Sequence, residues 1–197
     1  MKSIFCTSFA APIGYYKAFL QSDINILEMH EHYIKQSIRN RCEIATSNGI
    51  LILTVPLSEK RNNMPVSEVR ICYKSDWQRQ HLKTLATAYK SSPFFEFYID
   101  ELEALYKLQP ESLLEWNQII HQQLLKWLRI NKPFDRTLAY QKVYENIQDY
   151  RNTAWKNLPT TTTYHQVFEN KLGFVGNLSI FDLLFNCGNE SQSILKY

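Results

Sequence analysis

His81 is the side chain in this sequence best suited to proton transfer, and its neighbours at helical spacing are apolar. One face of a predicted helix carries Trp77, His81, Leu85 and Ala88, with Tyr89 beside them. A histidine in apolar surroundings stays neutral near pH 7, which suits a general base in a cleft. The same pattern fits a core histidine that is hydrogen-bonded to the backbone. The sequence leaves both interpretations open.

Two arginines flank an asparagine just before a predicted hairpin, at Arg39, Asn40 and Arg41. Guanidinium groups bind phosphate or carboxylate in bidentate fashion, so this triplet can clamp an anion. The alternative is that the triplet forms the solvated start of a strand. On the first interpretation, Arg39 and Arg41 line a concave site that holds an anion.

Metal-binding signals are weak. His30 and His32 flank Glu31, and on a strand these two histidines would point to the same side. No third ligand follows at a typical spacing and HExxH is absent, so we favour structural or surface roles and predict no metal. A chain of this length needs no disulfide framework. Free thiols are therefore predicted for the four cysteines, Cys6, Cys42, Cys72 and Cys187.

Several catalytic and binding classes lack their sequence signatures. The chain has only 5 glycines and contains no GxGxxG, GxxxxGK[ST] or GxSxG pattern, so no cofactor can be named. Basic and aromatic residues interleave over residues 140–156. Glu145, Asp149 and a net charge of only +3 argue against a nucleic-acid groove. We therefore expect a small-molecule ligand and no nucleic-acid partner.

Length and composition predict one soluble globular domain over residues 1–197. Hydrophobic residues make up 45% and charged residues 21%, which excludes a disordered chain. The longest apolar run, residues 50–55, is too short to cross a bilayer. The N-terminus lacks the apolar stretch of a signal peptide, so we predict a cytoplasmic protein. The oligomeric state is not predictable from these features.

The first half of the chain contains the predicted strands. Residues 2–6, a short helix near Tyr15 and residues 24–27 form a strand, a helix and a strand, which indicates a parallel pair. Asn48-Gly49 is the strongest local hairpin signal and joins residues 42–45 to residues 50–55. Because the second arm is apolar on both faces, we predict a central strand. Residues 58–67 are predicted to be a mobile loop.

Helices dominate the second half. Periodicity predicts them over residues 76–90, 94–107 and 111–130. Residues 132–163 show no clean period and are predicted to wrap the surface, with residues 159–163 extended or in a loop. A last helix begins at Ser179, with Asp182 completing a capping box and Gly188 ending it. The predicted fold class is mixed α/β, with a small mixed sheet covered by several helices.

A set of short motifs, each weak alone, runs in order along nearly the whole chain. They are residues 12–16 (PIGYY), 33–35 (YIK), 39–41 (RNR), the hairpin with residues 53–56 (LTVP), Trp77 with His81, Tyr89, residues 93–94 (PF), 164–166 (YHQ), and 177–186 with Gly188. The set resembles the WbqC-like family of bacterial proteins, often encoded among O-antigen and other surface-polysaccharide genes. Two segments depart from the family pattern. Residues 7–11 replace a Gln-Pro-Tyr-rich start, and residues 28–32 replace an acidic pair.

The resemblance implies a role in building or modifying surface glycans and supplies no settled reaction. Our hypothesis is a transferase that acts on a nucleotide-activated or lipid-linked sugar. Such transfer needs a base, a phosphate clamp and aromatic platforms for sugar faces. The residues predicted for these roles are, in that order, His81, then Arg39, Asn40 and Arg41, and then Trp77 and Tyr89.

Two alternatives stay open, and with them the question whether the chain is an enzyme. The first is a non-catalytic protein of the same pathway that binds a sugar or a partner, or acts as a scaffold. The second is a nucleotide binder, because strand, Pro12, Gly14, helix and strand imitate the start of nucleotidyltransferase-type folds. Those folds use a histidine after the glycine to hold phosphates. Tyr15 stands there in this chain and is the remaining predicted substrate contact.

Overall fold

The computed structural model describes residues 1–58, 64–158 and 162–196. In chain order the elements are β1 (Lys2–Phe5), α1 (Ile13–Gln21), β2 (Ile24–Leu27), β3 (Arg41–Thr46), β4 (Gly49–Thr54), α2 (Trp77–Tyr89), α3 (Phe95–Tyr106), α4 (Leu113–Trp127), β5 (Phe134–Arg136), β6 (Ile147–Asp149), α5 (Glu169–Leu172), α6 (Ile180–Cys187) and α7 (Ser191–Lys196). The loop predicted over residues 58–67 and the extended run predicted over 159–163 lie partly outside the described residues. The predicted mixed α/β class is confirmed.

A parallel sheet of order β5-β2-β1-β6 lies at the centre of the fold. The predicted parallel pair is confirmed, with Lys2 opposite Ile24 in the register of β1 and β2. The described part of residues 132–163, predicted to wrap the surface, is mostly exposed, and it also supplies the outer strands β5 and β6, which the sequence did not predict. These strands have three residues each, too few for a period of two to appear in the sequence.

The predicted hairpin is confirmed as β3 and β4, which pair from Arg41 opposite Thr54 to Thr46 opposite Gly49. Gly49 has a φ of 109°, which explains the glycine in the turn. The prediction that β4 is a central strand is wrong, because the hairpin forms a sheet of its own two strands. β4 is therefore an edge strand, and its first half is apolar but exposed.

Three predicted helices are confirmed as α2, α3 and α4. α4 begins at Ser112, whose hydroxyl accepts a hydrogen bond from the Glu115 amide at 3.1 Å. Phe134 of β5 contacts Phe19 of α1 and His121 of α4 with ring centroids 4.9 and 4.8 Å apart. Both helices therefore pack against the same face of the parallel sheet.

The last long helix, α6, is buried along its whole length. Ser179 is its N-cap as predicted, and its hydroxyl accepts from the Phe181 amide and donates to the Ala10 carbonyl. The predicted capping box does not form, because the Asp182 carboxylate accepts from three buried side chains instead. Gly188 follows the helix with a φ of 52°. Among the described residues, no helix is both long and apolar enough to cross a membrane.

Candidate functional site

Arg41, the first residue of β3, is a half-buried cation without an ion pair among the described residues. Its Nε is enclosed and has no hydrogen-bond partner in that part of the chain. The side chain lines two neighbouring clefts, which share Arg41, Gln36 and Ile52. A guanidinium that has no carboxylate partner and lines a cleft can bind an anion there.

The first cleft, here named the hairpin cleft, runs between β4 and α2 and has a volume of about 520 Å³. Four of the predicted site residues line it, namely Asn40, Arg41, Trp77 and His81. Lys35 adds a second cation, which is exposed, and no Asp or Glu of the described residues lines the cleft. The hairpin cleft is therefore a positively charged site.

The second cleft, here named the strand-end cleft, has a volume of about 660 Å³ and lies beside the loop that follows β6. Arg39, Arg41 and Lys156 line it, and Glu43 is the one acidic residue among the described residues that line it. Gln36, at the boundary of both clefts, has a φ of 56°, a left-handed conformation that is uncommon for glutamine. Such backbone conformations concentrate at ligand sites.

Arg39 lines the strand-end cleft, but its guanidinium is committed elsewhere. Its Nε and Nη2 donate to the two carboxylate oxygens of Glu31 at 2.8 and 2.5 Å. Nη2 also donates to the Arg151 carbonyl at 3.1 Å. Burial raises the pKa of Glu31, although its ion pair with Arg39 opposes that shift. The bidentate partner of Arg39 in this structure is thus an internal carboxylate.

Asn40 is also engaged within the fold. Its Oδ1 accepts from the Tyr33 hydroxyl at 2.8 Å, and its Nδ2 donates to the Val55 carbonyl at 2.9 Å. Asn40 is only 5% exposed. Its side chain therefore fixes the floor of the hairpin cleft, and Arg41 is the member of the triplet that has free hydrogen-bonding capacity.

His81 lies in the wall of the hairpin cleft with both ring nitrogens engaged. Nε2 lies 3.2 Å from the Thr54 carbonyl and Nδ1 lies 3.3 Å from the Tyr106 hydroxyl. A carbonyl oxygen only accepts, so Nε2 carries the proton and Nδ1 accepts from Tyr106. Burial lowers the pKa of His81 to about 4. The ring is neutral at pH 7 and has no free lone pair, and a role as general base stays a prediction that this geometry does not favour.

The aromatic residues predicted as sugar platforms are buried. Trp77 lines the hairpin cleft but is 3% exposed, and its ring packs edge-on against His81. Tyr89 is fully buried and donates to Asp182 Oδ1 at 2.8 Å. Tyr15 donates to the Cys6 carbonyl at 3.1 Å and lines neither cleft at Arg41.

The sequence did not single out Lys35, Lys156 or Glu43. Lys35 lay within the YIK motif, and Lys156 within the basic and aromatic stretch 140–156. His30 and His32, considered as a metal pair, lie in irregular backbone after β2. Within residues 1–58, 64–158 and 162–196, no three His, Cys, Asp or Glu side chains are grouped as a metal site requires.

The fold and the clefts define an α/β protein with a cationic, two-part groove. A model of the WbqC-like protein family matches residues 8–152, and the chain therefore belongs to that family. It is similar to the uncharacterized protein Rv1507c of Mycobacterium tuberculosis (strain ATCC 25618 / H37Rv), with 26% identity over 214 residues. That alignment covers 93% of this chain and 92% of the relative. No solved structure matches the chain.

Proposed function

We propose that the chain binds an activated sugar, attached to a nucleoside diphosphate or to a lipid diphosphate, across the two clefts that share Arg41. The binding serves the assembly of a bacterial surface polysaccharide. The observation that carries the proposal is the Arg41 guanidinium, which has no ion pair among the described residues and an enclosed Nε, at the junction of a cation-lined cleft and a polar cleft. Membership of the WbqC-like family supports this setting, because the resemblance implies a role in building surface glycans.

In this proposal the phosphates bind in the hairpin cleft, because of its charge. Arg41 and Lys35 line it, and no acidic residue of the described part of the chain does, so a diphosphate meets two cations there. Its volume of about 520 Å³ lies in the usual range of small-molecule sites, about 300–1,000 Å³. The strand-end cleft presents Glu43 and Asn152 beside Arg41, which are groups that hydrogen-bond to sugar hydroxyls.

Transfer of the sugar requires a group that takes a proton from the acceptor. His81 has both nitrogens engaged, whereas Glu43 has no ion pair or side-chain hydrogen bond with the described residues. In the transferase form of the proposal, Glu43 is therefore the base and His81 a positioning residue, which holds Thr54 opposite Arg41. In the alternative form, a non-catalytic binding protein uses the same clefts without turnover.

The start of the chain does not favour a nucleotidyltransferase-type phosphate site. Such a site needs free backbone amides at the N-terminus of the first helix. Here the amides of Ile13, Gly14 and Tyr15 donate to Leu178, Asn177 and Pro12. A Cβ on Gly14 would lie 2.9 Å from the Asn177 side chain, so no phosphate fits against that glycine.

The test is calorimetric titration with UDP-glucose and UDP-N-acetylglucosamine, with inorganic pyrophosphate as the sugar-free probe. Arg41→Gln should weaken binding about 10- to 100-fold, the value of charged hydrogen bonds to phosphate. Arg41→Lys should restore part of the loss, because an ammonium keeps the charge without the planar fork. The melting temperature should barely change, since Arg41 has no ion pair among the described residues.

The matched control is Arg70→Gln, an exposed arginine whose Nε lies 3.6 Å from Glu111. It should bind like the parent. Equal affinity of Arg41→Gln and the parent, or no binding of any of the three probes, would contradict the proposal. Glu43→Gln separates its two forms. A transferase should retain binding and lose turnover, and a binding protein shows no turnover in any variant.

A further inference from the structure

A third cleft, separate from those at Arg41, lies between α4 and the parallel sheet. It has a volume of about 270 Å³. Thr7, Leu27 and Arg136 bring to it the carboxyl ends of β1, β2 and β5, and Asn117 and His121 project from α4. The carboxyl ends of parallel strands are where α/β proteins bind their ligands. We name this space the α4 cleft.

Asn117 supplies the first unpartnered group. Its Nδ2 donates to Thr7 Oγ1 at 3.1 Å and to the Arg39 carbonyl at 2.8 Å. Because a carbonyl oxygen only accepts, the orientation of the amide is fixed and Oδ1 points away from both. Asn117 is 1% exposed, and its Oδ1 has no partner among the described residues. A buried acceptor of this kind requires a donor that the fold does not supply.

His121 lies one helical turn after Asn117 and supplies the second group. Nδ1 lies 3.2 Å from the Tyr16 hydroxyl, while Nε2 is enclosed and has no partner within the described part of the chain. Tyr16 stacks on the ring at 5.7 Å, and Phe19 meets it edge-on at 5.4 Å. Burial lowers the pKa of His121 to about 3. The ring is therefore neutral and rigidly held.

Arg136 and an apolar wall complete the cleft. Arg136 is the last residue of β5, is exposed, and makes no ion pair with any described residue. Leu27, Leu125 and Phe134 line the cleft between Arg136 and α4. Among the described residues, the cleft thus combines a cation without an ion pair, an apolar surface and two unpartnered polar atoms, in a space slightly below the usual range for small-molecule sites.

We propose that the α4 cleft binds a small carboxylic acid that also carries an ammonium or hydroxyl group. The carboxylate pairs with Arg136, and an aliphatic portion packs against Leu125 and Phe134. The ammonium or hydroxyl group is directed towards Asn117 and His121. Asn117 Oδ1 and His121 Nε2 are enclosed, so the side chains at the rim of the cleft must move before the ligand pairs with either atom.

The experiment titrates the full chain with L-leucine, L-serine and L-lactate and follows amide chemical shifts by NMR. Each functional group has its matched probe, since 4-methylpentanoate lacks the amine of leucine and L-leucinol lacks its carboxylate. At least one bifunctional acid should bind with shifts confined to α4, β5 and the residues after β1. The one-group analogues should bind at least tenfold more weakly.

Two variants at exposed positions keep the test independent of folding. Arg136→Gln should weaken binding of the acid at least tenfold. Gln122→Trp, which fills the cleft from its rim, should abolish binding. Arg79→Gln is the control, because that side chain is 83% exposed on α2. Failure of all three acids to bind at millimolar concentration, or unchanged binding in Arg136→Gln, would overturn the proposal. UDP-sugar binding in these variants should equal that of the parent, so the two sites succeed or fail separately.

Discussion

Burial of an imidazole leaves two very different histidines in this protein. His81 satisfies both nitrogens, one on the Thr54 carbonyl and one on the Tyr106 hydroxyl. His121 satisfies one nitrogen on Tyr16 and leaves the other without a partner among the described residues. Both rings are neutral at pH 7 because desolvation disfavours the charged form. The difference in partners makes His81 a structural group and His121 a candidate ligand contact.

The depressed pKa of His81 predicts that acid destabilises the fold. The unfolded chain binds a proton near pH 6.5, while folded His81 titrates only at about 4. The contribution of neutral His81 to the free energy of unfolding is therefore fully present above pH 6.5 and is lost as the pH falls towards 4. The contribution of His81 is about 3 kcal/mol. Urea unfolding at several pH values should show this fall in the free energy of unfolding.

The variant His81→Gln isolates this effect from that of His121, whose lowered pKa acts in the same direction, and from the raised pKa values of Glu31 and Asp182, which act in the opposite direction. It should be less stable at pH 7, where a buried partner is left unsatisfied, and should lose less between pH 6.5 and 4. His165→Gln, at an exposed side chain, is the control and should follow the parent. If the free energy of unfolding fell equally with pH in His81→Gln and in the parent, the pH dependence assigned to His81 would be wrong.

At the scale of elements, β4 shows how one strand can be half core and half surface. Leu53 is 3% exposed and belongs to the apolar core, whereas Leu51 is 42% exposed. The two residues are two positions apart and so lie on the same face of the strand. The difference in their exposure therefore comes from the edge of the core and not from the alternation of side chains. The strand leaves the core towards its hairpin turn.

This gradient predicts unequal effects for the same substitution. Leu53→Ala should reduce the free energy of unfolding by about 2–5 kcal/mol, because it empties a closely packed position. Leu51→Ala should change it by less than about 0.5 kcal/mol, as at other surface positions. Urea denaturation of both variants measures the difference. Equal losses at the two positions would mean that another surface, such as a second copy of the chain, covers β4 in solution.

At the scale of the molecule, buried charges connect the parallel sheet to the clefts at Arg41. Arg39 pairs with Glu31, and its Nη2 also donates to the Arg151 carbonyl. Arg151 in turn pairs with the fully buried Glu28 at 3.3 Å. These groups come from the segments after β2 and β6 and before β3. The network therefore fixes the position of Arg41 relative to the sheet.

The ion pair of Arg39 and Glu31 is open to a double-mutant test. Arg39→Met or Glu31→Met alone should cost about 3–5 kcal/mol, because each leaves a buried charge unpaired. The double variant should recover most of that loss. It should also bind UDP-glucose like the parent, since Arg41 is the proposed phosphate contact. Loss of binding in a stable double variant would show instead that Arg39 contacts the ligand.

The sequence alone determined the elements whose signals are local. Asn48-Gly49 predicted the hairpin because few residues adopt that turn, and the apolar period of residues 111–130 predicted α4. The strand, helix and strand at the start predicted a parallel pair. The order of weak motifs was sufficient to indicate the WbqC-like family. The signal for each element is contained within a short stretch of chain, and the signal for the family is the order of many such stretches.

Only the tertiary structure decided which elements and side chains meet. β6 pairs with β1 at Ile147 and Lys2, and no local pattern reports a partner so distant in sequence. The Arg39-Asn40-Arg41 triplet identified three polar side chains. It did not show that Glu31 pairs with Arg39, or that Arg41 has no ion pair among the described residues. Side chains at adjacent positions point in different directions, and what each one contacts depends on packing from remote segments. Local sequence could therefore predict part of the set of site residues. Which of them keeps an unused hydrogen-bonding group depends on the folded chain.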